Sequence, residues 1–212
     1  MNYNRHANIF NPDEFNTPIH VIGAGATGSW LVLSLAKLGV KNIHVWDDDI
    51  IEEHNVPNQL YGEHQIGLFK VIALREIVEK YTGITINTHC EKVTTQSLQG
   101  IIFVLTDTMS SREQIYRCAK TNPNIKLLIE TRMDLRGGRV YTVSPRNRDL
   151  CKRYEETFYS DDESEVSACG ISQTSRALWT FLAYINEYDI PFEILDDFSN
   201  FYCITNTSKA TI

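Results

Sequence analysis

The segment that decides the fold is Pro18–Gly28, which reads PIHVIGAGATG. Its first part, Pro18–Ile22, is almost entirely apolar and predicts a short buried strand. A glycine-rich turn follows at Gly23–Gly28. The next stretch, Ser29–Val40, is predicted to be a helix because apolar residues recur in it at helical spacing, at Leu31, Leu35 and Leu38.

A second strand is predicted at Asn42–Trp46, and it closes a βαβ unit of about thirty residues. Gly23 permits a tight turn, Gly25 lets a ligand approach the backbone, and Gly28 lets the helix pack on the sheet. The free N–H groups of the helix N-terminus attract phosphate, and Asp47 is placed to accept hydrogen bonds from ribose hydroxyls. The turn alone leaves three alternatives open: a dinucleotide redox cofactor, ATP, or a packing turn with no ligand.

The rest of the chain alternates between helical and strand patterns, which predicts an α/β fold with a mainly parallel, Rossmann-like sheet and helices on both faces. We predict an irregular segment at Ile50–Phe69 and a solvated, aperiodic acidic loop at Asp149–Ser167. The predicted helices are Lys70–Tyr81, Ser110–Lys120 and Gln173–Glu187. The further predicted strands are Ile84–Thr88, Gly100–Leu105, Lys126–Glu130, Arg139–Ser144 and Asn200–Thr205, and the last of these extend the sheet with antiparallel strands on its C-terminal side.

The composition excludes several classes of partner. The chain has 212 residues, 42% of them hydrophobic, and a formal net charge of −7. Duplex nucleic acid and anionic membranes attract basic surfaces, so neither is expected as a main partner. The longest purely apolar run is Ile101–Leu105, which is much too short to span a bilayer. The polar N-terminus has no signal-peptide core, and we expect a cytoplasmic protein.

Five cysteines are widely spaced along the chain, at Cys90, Cys118, Cys151, Cys169 and Cys203. The chain has no Cys-x-x-Cys pair, so we expect no structural zinc. A domain of this length does not need a disulfide scaffold, and the odd count also argues against one. We therefore expect a reducing compartment.

Three ordered motifs carry a resemblance to a known family. The first is Asp47–Gln59, with Asp-x-Asp followed by Asn and then Asn-Gln; the second is Gly67–Val71, with Gly-x-x-Lys-Val. The third is Thr106–Arg112, with an aspartate five residues before an arginine. A weaker fourth motif is Asn2–His6. In this order and spacing the motifs resemble those of the ThiF/MoeB/HesA family, the ubiquitin-activating-enzyme-like adenylyltransferases, over most of residues 17–205.

The resemblance implies a site for ATP and Mg²⁺ as cofactors. Asp47 would hold the ribose, and Asn55, Gln59 and Lys70 would surround the phosphates. Asn58 stands where the family has an arginine, so a bidentate phosphate clamp is missing, and an asparagine cannot replace its charge. This departure raises the alternative of a weakened or lost ATP site.

The resemblance also implies the catalytic groups. Asp107 would bind the magnesium ion and orient the α-phosphate, Arg112 would support the loop that carries Asp107, and Lys70 would act with them. Arg5 would reach across a dimer to the partner's ATP. Cys169, in the segment that the family uses as a crossover loop, would be either a reactive nucleophile or a structural residue.

We therefore expect one ThiF-like nucleotide-binding domain over residues 1–212, with an N-terminal arm at 1–16 and a crossover loop at 149–170. Its expected activity is ATP-dependent adenylation of the C-terminal carboxylate of a small ubiquitin-like or sulfur-carrier protein, or of a peptide. A homodimer is expected by the same resemblance. The alternatives are a non-catalytic ThiF-like binding partner with a degraded ATP site and a dinucleotide oxidoreductase. The oxidoreductase alternative leaves the spacing of Asn55, Gln59, Lys70 and Asp107 unexplained.

Overall fold

The computed structural model describes residues 1–133, 137–161, 171–188 and 193–197. Within these ranges the chain forms seven strands and five α-helices. The strands are β1 (Ile19–Ile22), β2 (Ile43–Trp46), β3 (Asn87–His89), β4 (Gly100–Val104), β5 (Ile125–Met133), β6 (Gly137–Val143) and β7 (Glu193–Asp197). The helices are α1 (Gly28–Leu38), α2 (Lys70–Thr82), α3 (Met109–Lys120), α4 (Arg148–Glu155) and α5 (Ile171–Ile185).

All seven strands belong to one mixed sheet in the order β3-β2-β1-β4-β5-β6-β7. The first five strands in this order are parallel, and β6 and β7 continue the sheet antiparallel. Strand β1 lies at the centre, and its last residue, Ile22, pairs with Trp46 on β2 and Val104 on β4. The carboxyl ends of these three strands therefore share one edge of the sheet, and the predicted Rossmann-like fold class is confirmed.

The core has two layers, one on each face of the sheet. Helices α1, α2 and α5 cover one face, with Leu31, Val71 and Phe181 among its buried side chains. Helices α3 and α4 cover the other, with Tyr116 and Tyr154 fully buried. Every residue of β1 and β4 is buried, as expected for central parallel strands covered on both sides.

Helix α4 corrects the prediction of an aperiodic loop at Asp149–Ser167. Asn147 caps the helix, because its Oδ1 accepts hydrogen bonds from the N–H groups of Asp149 and Leu150, both at 3.1 Å. The helix buries only a narrow stripe, Cys151 and Tyr154, among charged residues. So short a stripe does not produce a clear helical period in the sequence.

Other boundaries differ less from the predictions. The third strand is β3 at Asn87–His89, a few residues after the predicted start at Ile84, and α5 begins and ends two residues earlier than predicted. The irregular segment Ile50–Phe69 contains two short 3-10 turns, at Glu53–Asn55 and Glu63–Gln65. Strand β7 was not predicted. The strand predicted at Asn200–Thr205 lies outside the described residues. Within the described ranges, every helix is too short or too polar to cross a bilayer.

Candidate functional site

The glycine turn between β1 and α1 is tight at its ends and open at its middle. Gly23 has a φ of +100°, and a Cβ there would lie 2.6 Å from the Leu105 carbonyl oxygen. A Cβ at Gly28 would lie 1.9 Å from the Gly23 carbonyl oxygen. A Cβ at Gly25, in contrast, would meet no atom within 4 Å. The outer glycines therefore make the turn possible, and the backbone at Gly25 faces open space.

Asp47, at the carboxyl end of β2, ties this turn to the neighbouring strand. Its Oδ2 accepts a hydrogen bond from the Ala24 N–H at 2.7 Å, and its Oδ1 accepts one from the Asp49 N–H at 2.9 Å. Burial raises the pKa of the Asp47 carboxyl despite these hydrogen bonds. Tyr61 fixes the same turn from the other side, since its hydroxyl donates to the Ala24 carbonyl at 2.6 Å.

Lys70 is buried at the first position of α2 and already has a charged partner. Its Nζ lies 2.7 Å from Asp49 Oδ2, and its backbone N–H donates to the Asp49 carbonyl at 2.9 Å. A cation in the first turn of a helix is opposed by the helix dipole. The Asp49 carboxylate offsets this cost and holds the ammonium group near the Asp47 end of the site.

The amides of the first motif, Asp47–Gln59, fall into two groups. Asn55 is buried and structural, because its Oδ1 accepts a hydrogen bond from the Glu52 N–H at 2.9 Å. The side-chain oxygens Asn58 Oδ1 and Gln59 Oε1 are buried and have no hydrogen-bond partner among the described residues. Buried polar atoms are nearly always paired, so these two oxygens have capacity for a ligand donor.

Asp107 follows the buried strand β4 and is exposed, with no hydrogen bond or ion pair to the described residues. The loop that carries it is held by Arg112, whose Nη2 donates to the Thr106 carbonyl at 2.5 Å. Arg112 is itself buried, with its Nε 3.2 Å from Glu130 Oε1. The ends of β2 and β4, on either side of β1, are two strand spacings apart, about 10 Å.

The predicted site thus gathers at one edge, with two exceptions. Arg5 is exposed in the N-terminal arm, where its neighbour His6 lies 3.2 Å from the Leu38 carbonyl oxygen through Nε2. Leu38 ends α1, whose first residue, Gly28, is at the glycine turn, so Arg5 lies near the opposite edge of the sheet in its own chain. Cys169 lies outside the described residues.

A cluster of three carboxylates that could ligate a cation lies beside the glycine turn. In the described ranges, Asp47, Asp48 and Asp49 are the only set of three or more metal-binding side chains with ligand atoms within 4.8 Å of one another. Lys92 lies 3.8 Å from Asp48 and adds a positive charge at the rim. Together with Asp107, these residues make this edge rich in the oxygen ligands that Mg²⁺ prefers.

Sequence reasoning missed a buried ion network behind Asp107. The Glu130 carboxylate on β5 is fully buried and accepts two hydrogen bonds from Arg132, at 2.7 and 3.0 Å. The hydroxyl of Tyr154 also donates to it. Burial opposes the charge of Arg132, but its bonds to Glu130 prevail and raise the pKa of the guanidinium. Arg132 lies beyond the predicted strand Lys126–Glu130, whereas β5 continues to Met133 and so brings Glu130 and Arg132, two residues apart, to the same face.

A second unpredicted contact involves Asp161. Its Oδ1 accepts hydrogen bonds from the N–H groups of Met109 at 2.5 Å and Ser110 at 3.3 Å, at the start of α3. A hydrogen bond from the Ser110 side chain, and then these backbone bonds, lower the pKa of the Asp161 carboxyl. Asp161, 52 positions after Met109, thus helps to cap α3, the helix that follows Asp107.

Comparisons with known proteins agree with this architecture. The chain is 29% identical over 129 residues to the NEDD8-activating enzyme E1 catalytic subunit of Arabidopsis thaliana, a match that covers 52% of this chain and 28% of that protein. In structure it resembles E. coli MccB with AMPCPP and MccA (TM-score 0.64, 15% identity) and E. coli MccB with ATP (0.63, 16%), each match covering 85% of this chain and 60% of MccB.

PaaA is a further structural neighbour, with a TM-score of 0.63 and 19% identity over 85% of this chain and 69% of PaaA. The chain spans less than two thirds of MccB and about a quarter of the Arabidopsis relative. At identities this low, the structural matches show a shared fold and nothing more. The model of the ThiF family, however, matches residues 3–191, which is most of the sequence. This chain therefore belongs to the ThiF family.

Proposed function

We propose that this protein is an ATP-dependent adenylyltransferase. It activates the C-terminal carboxylate of a small ubiquitin-like or sulfur-carrier protein, or of a peptide, as an acyl adenylate. The observation that carries the proposal is the convergence of the open glycine turn, Asp47 and Asp107 at one edge of the sheet. Open α/β sheets bind their ligands at this edge.

The comparisons support the same class of reaction. One relative is the catalytic subunit of a NEDD8-activating enzyme E1, and MccB has been crystallised with ATP and with MccA. An adenylating enzyme needs a place for an adenosine triphosphate and a place for an incoming carboxylate. The resemblance assigns two motifs to ATP. These motifs carry Lys70, which is paired with Asp49, and the side-chain oxygens of Asn58 and Gln59, which have no hydrogen-bond partner among the described residues.

In the proposed reaction, a carboxylate oxygen of the substrate attacks the α-phosphorus of ATP. The bond from this phosphorus to the bridging oxygen breaks, and pyrophosphate leaves with the electron pair. Both reactants are anions, so the site has to align them and neutralise their charge. Asp47 would accept hydrogen bonds from the ribose, the Gly25 backbone would approach the phosphates, and Lys70 would shift between Asp49 and a phosphate oxygen.

The residues present also fit a magnesium ion. Asp107 offers an exposed carboxylate with no competing partner among the described residues, and carboxylates are preferred ligands of Mg²⁺. Bound Mg²⁺ would neutralise phosphate charge. Arg112, through the Thr106 carbonyl, would keep the Asp107 loop in place.

The direct test is ATP–pyrophosphate exchange with Mg²⁺ and a panel of carriers that end in Gly-Gly, together with calorimetric ATP binding. We expect exchange with at least one carrier, and a fall of at least about 100-fold in the Asp107→Asn variant. Asp13→Asn is the matched control. Asp13, in the N-terminal arm, is exposed and paired with Lys41, which follows α1, and its loss should leave exchange unchanged. Absence of both exchange and ATP binding would overturn the proposal.

One observation favours a second candidate, a non-catalytic binding partner. Asn58 stands in the position of the family arginine, and the first motif, Asp47–Gln59, contains no arginine. An Asn58→Arg variant separates the two candidates by calorimetry. A degraded site should gain ATP affinity when the arginine is restored, whereas a site that works as it stands should show no gain. Titration with NAD(H) is the control for the oxidoreductase alternative.

A further inference from the structure

Glu130 lies between two arginines that hold different parts of the chain. On one side is Arg112, which donates to the Thr106 carbonyl immediately before Asp107. On the other is Arg132, which donates to the Thr157 carbonyl at 2.7 Å and to Thr157 Oγ1 at 2.9 Å. Glu130 is 0% exposed, and the two arginines are 8% and 7% exposed. All three charges are therefore shielded from water and depend on one another.

The two parts held by these arginines also meet directly. Thr157 begins a short segment, residues 157–161, that runs from the end of α4 to Asp161. The Asp161 carboxylate accepts hydrogen bonds from Met109 and Ser110, which follow Asp107. The Asp107 loop and residues 157–161 are therefore linked in two ways. One link runs through the three buried charges, and the other is the direct contact of Asp161 with the start of α3.

The guanidinium of Arg132 is also held in place by aromatic rings. Its centre lies 4.6 Å from the ring centroid of Tyr141, and three further rings lie within 6 Å, those of Tyr154, Phe158 and Tyr159. Such contacts are attractive and directional. Phe158 and Tyr159 belong to the 157–161 segment itself. Arg132 therefore contacts the backbone carbonyl and hydroxyl of Thr157 and both of these rings.

We propose that Glu130 is a positioning residue that joins the Asp107 loop and segment 157–161 into one unit, so that the placement of Asp107 depends on the docking of that segment. The effect on catalysis rests on the proposed adenylation, but the coupling itself does not. A buried carboxylate that bridges two arginines is suited to this role, because neither arginine can change partner without leaving a charge unpaired.

The first test measures the coupling without any assay of activity. Hydrogen exchange, followed by mass spectrometry, is compared between the wild type and Glu130→Gln for peptides covering residues 106–111 and 156–161. We expect faster exchange in both regions of the variant. The matched control is Glu155→Gln, which removes the charge of an α4 carboxylate that bonds Tyr116 and Lys120 and contacts neither arginine. Faster exchange in only one region of Glu130→Gln, or in neither, would overturn the proposal.

A milder variant keeps the test decisive if Glu130→Gln does not fold. Thr157→Val removes only a hydroxyl, which accepts from Arg132 and donates to the Tyr154 carbonyl at 2.7 Å. We expect it to speed exchange at residues 106–111, which Thr157 does not contact. Where Glu130→Gln does fold, adding Thr157→Val should have no further effect at 106–111. If Thr157→Val speeds exchange at residues 106–111 as strongly in the Glu130→Gln variant as in the wild type, the two regions are coupled through Asp161 alone. The role given to Glu130 would then be wrong.

The second test uses kinetics. In ATP–pyrophosphate exchange, Glu130→Gln should lower kcat and raise the Mg²⁺ concentration for half-maximal rate, each by about tenfold. The KM for ATP should stay unchanged, since Asp47 and Lys70 are not touched. A change in KM alone, or no change in Mg²⁺ dependence, would contradict the positioning role. If the wild type shows no exchange at all, the proposed function has failed, and the hydrogen-exchange result decides the coupling by itself.

Discussion

The β2 side and the β5 side of the functional edge are stabilised by different kinds of contact. On the β2 side, Asp47 binds backbone N–H groups, and the ion pair between Lys70 and Asp49 leaves 63% of the Asp49 side chain exposed. On the β5 side, Glu130 and Arg132 form a pair whose side chains are 0% and 8% exposed. The β2 side can therefore exchange its partners for a ligand at low cost, whereas the β5 side is a fixed support.

The largest difference is expected when one cation is removed from each side. Arg132→Met leaves the buried Glu130 carboxylate with fewer partners and should lower the free energy of unfolding by about 3 to 5 kcal/mol. Lys70→Met leaves Asp49 in contact with water and should cost less than about 1 kcal/mol. Urea denaturation followed by circular dichroism measures both. Equal losses would mean that burial does not distinguish the two sides.

This contrast explains which parts of the site the sequence predicted. The β2 side is made of residues close in the chain: the glycine turn, Asp47 and Lys70 lie on contiguous motifs with known spacing. The β5 side is assembled from distant segments, since Asp161 reaches Met109 across 52 positions. Hydrophobic periodicity and short motifs describe neighbouring residues only, so contacts between distant segments cannot be predicted from them in a single sequence.

The fold follows the same rule. Central strands such as β4 are continuous apolar runs, and their positions were predicted closely. Helix α4 was missed because its apolar stripe consists of little more than Cys151 and Tyr154, and because Tyr154 is buried against residues of other elements, the rings of Tyr116 and Tyr141 and the Glu130 carboxylate. Where packing against a distant partner decides the structure, propensity and period carry little information.

The next largest effect tests the rigidity of the glycine turn on the β2 side. Gly28→Ala places a Cβ 1.9 Å from the Gly23 carbonyl oxygen, so the backbone has to move, and we expect a loss of about 2 to 3 kcal/mol in urea denaturation. Gly25→Ala is the matched control. Its Cβ meets no atom within 4 Å, and its stability should stay within about 0.5 kcal/mol of the wild type. A similar loss in both variants would contradict an open middle of the turn.

Gly25→Ala also sharpens the comparison between stability and function. Although this variant should fold normally, its new methyl group occupies the open space where the phosphates are proposed to approach. We expect weaker ATP binding by calorimetry with an unchanged unfolding midpoint. Unaltered ATP affinity would indicate that the nucleotide does not use this part of the backbone.

A smaller effect is expected in the pH dependence of the free energy of unfolding, through the buried His20. His20 on β1 is buried, stacks on His44 and accepts a hydrogen bond from Trp46 Nε1 at 3.1 Å. Burial, followed by the nearby charges of His44 and His89, lowers the pKa of His20 from 6.5 to about 4. The unfolded chain therefore binds this proton more readily, and stability is full above pH 6.5 and falls as the pH drops towards 4.

We expect the wild type to lose about 1 to 2 kcal/mol between pH 8 and pH 5 through this residue. A His20→Asn variant should lose less over the same range in urea denaturation at both pH values. An unchanged pH dependence in His20→Asn would assign the acid sensitivity to other groups.

The smallest expected effect concerns the cap of α4, the helix that carries Tyr154 to Glu130. Asn147→Ala removes the acceptor for two backbone N–H groups and should cost about 1 kcal/mol, whereas Asn147→Asp keeps an acceptor and should cost much less. If α4 supports the β5 side as argued, Asn147→Ala should also speed hydrogen exchange at residues 156–161 and leave the glycine turn unchanged. Equal acceleration at both places would mean that the two sides of the edge unfold as one unit.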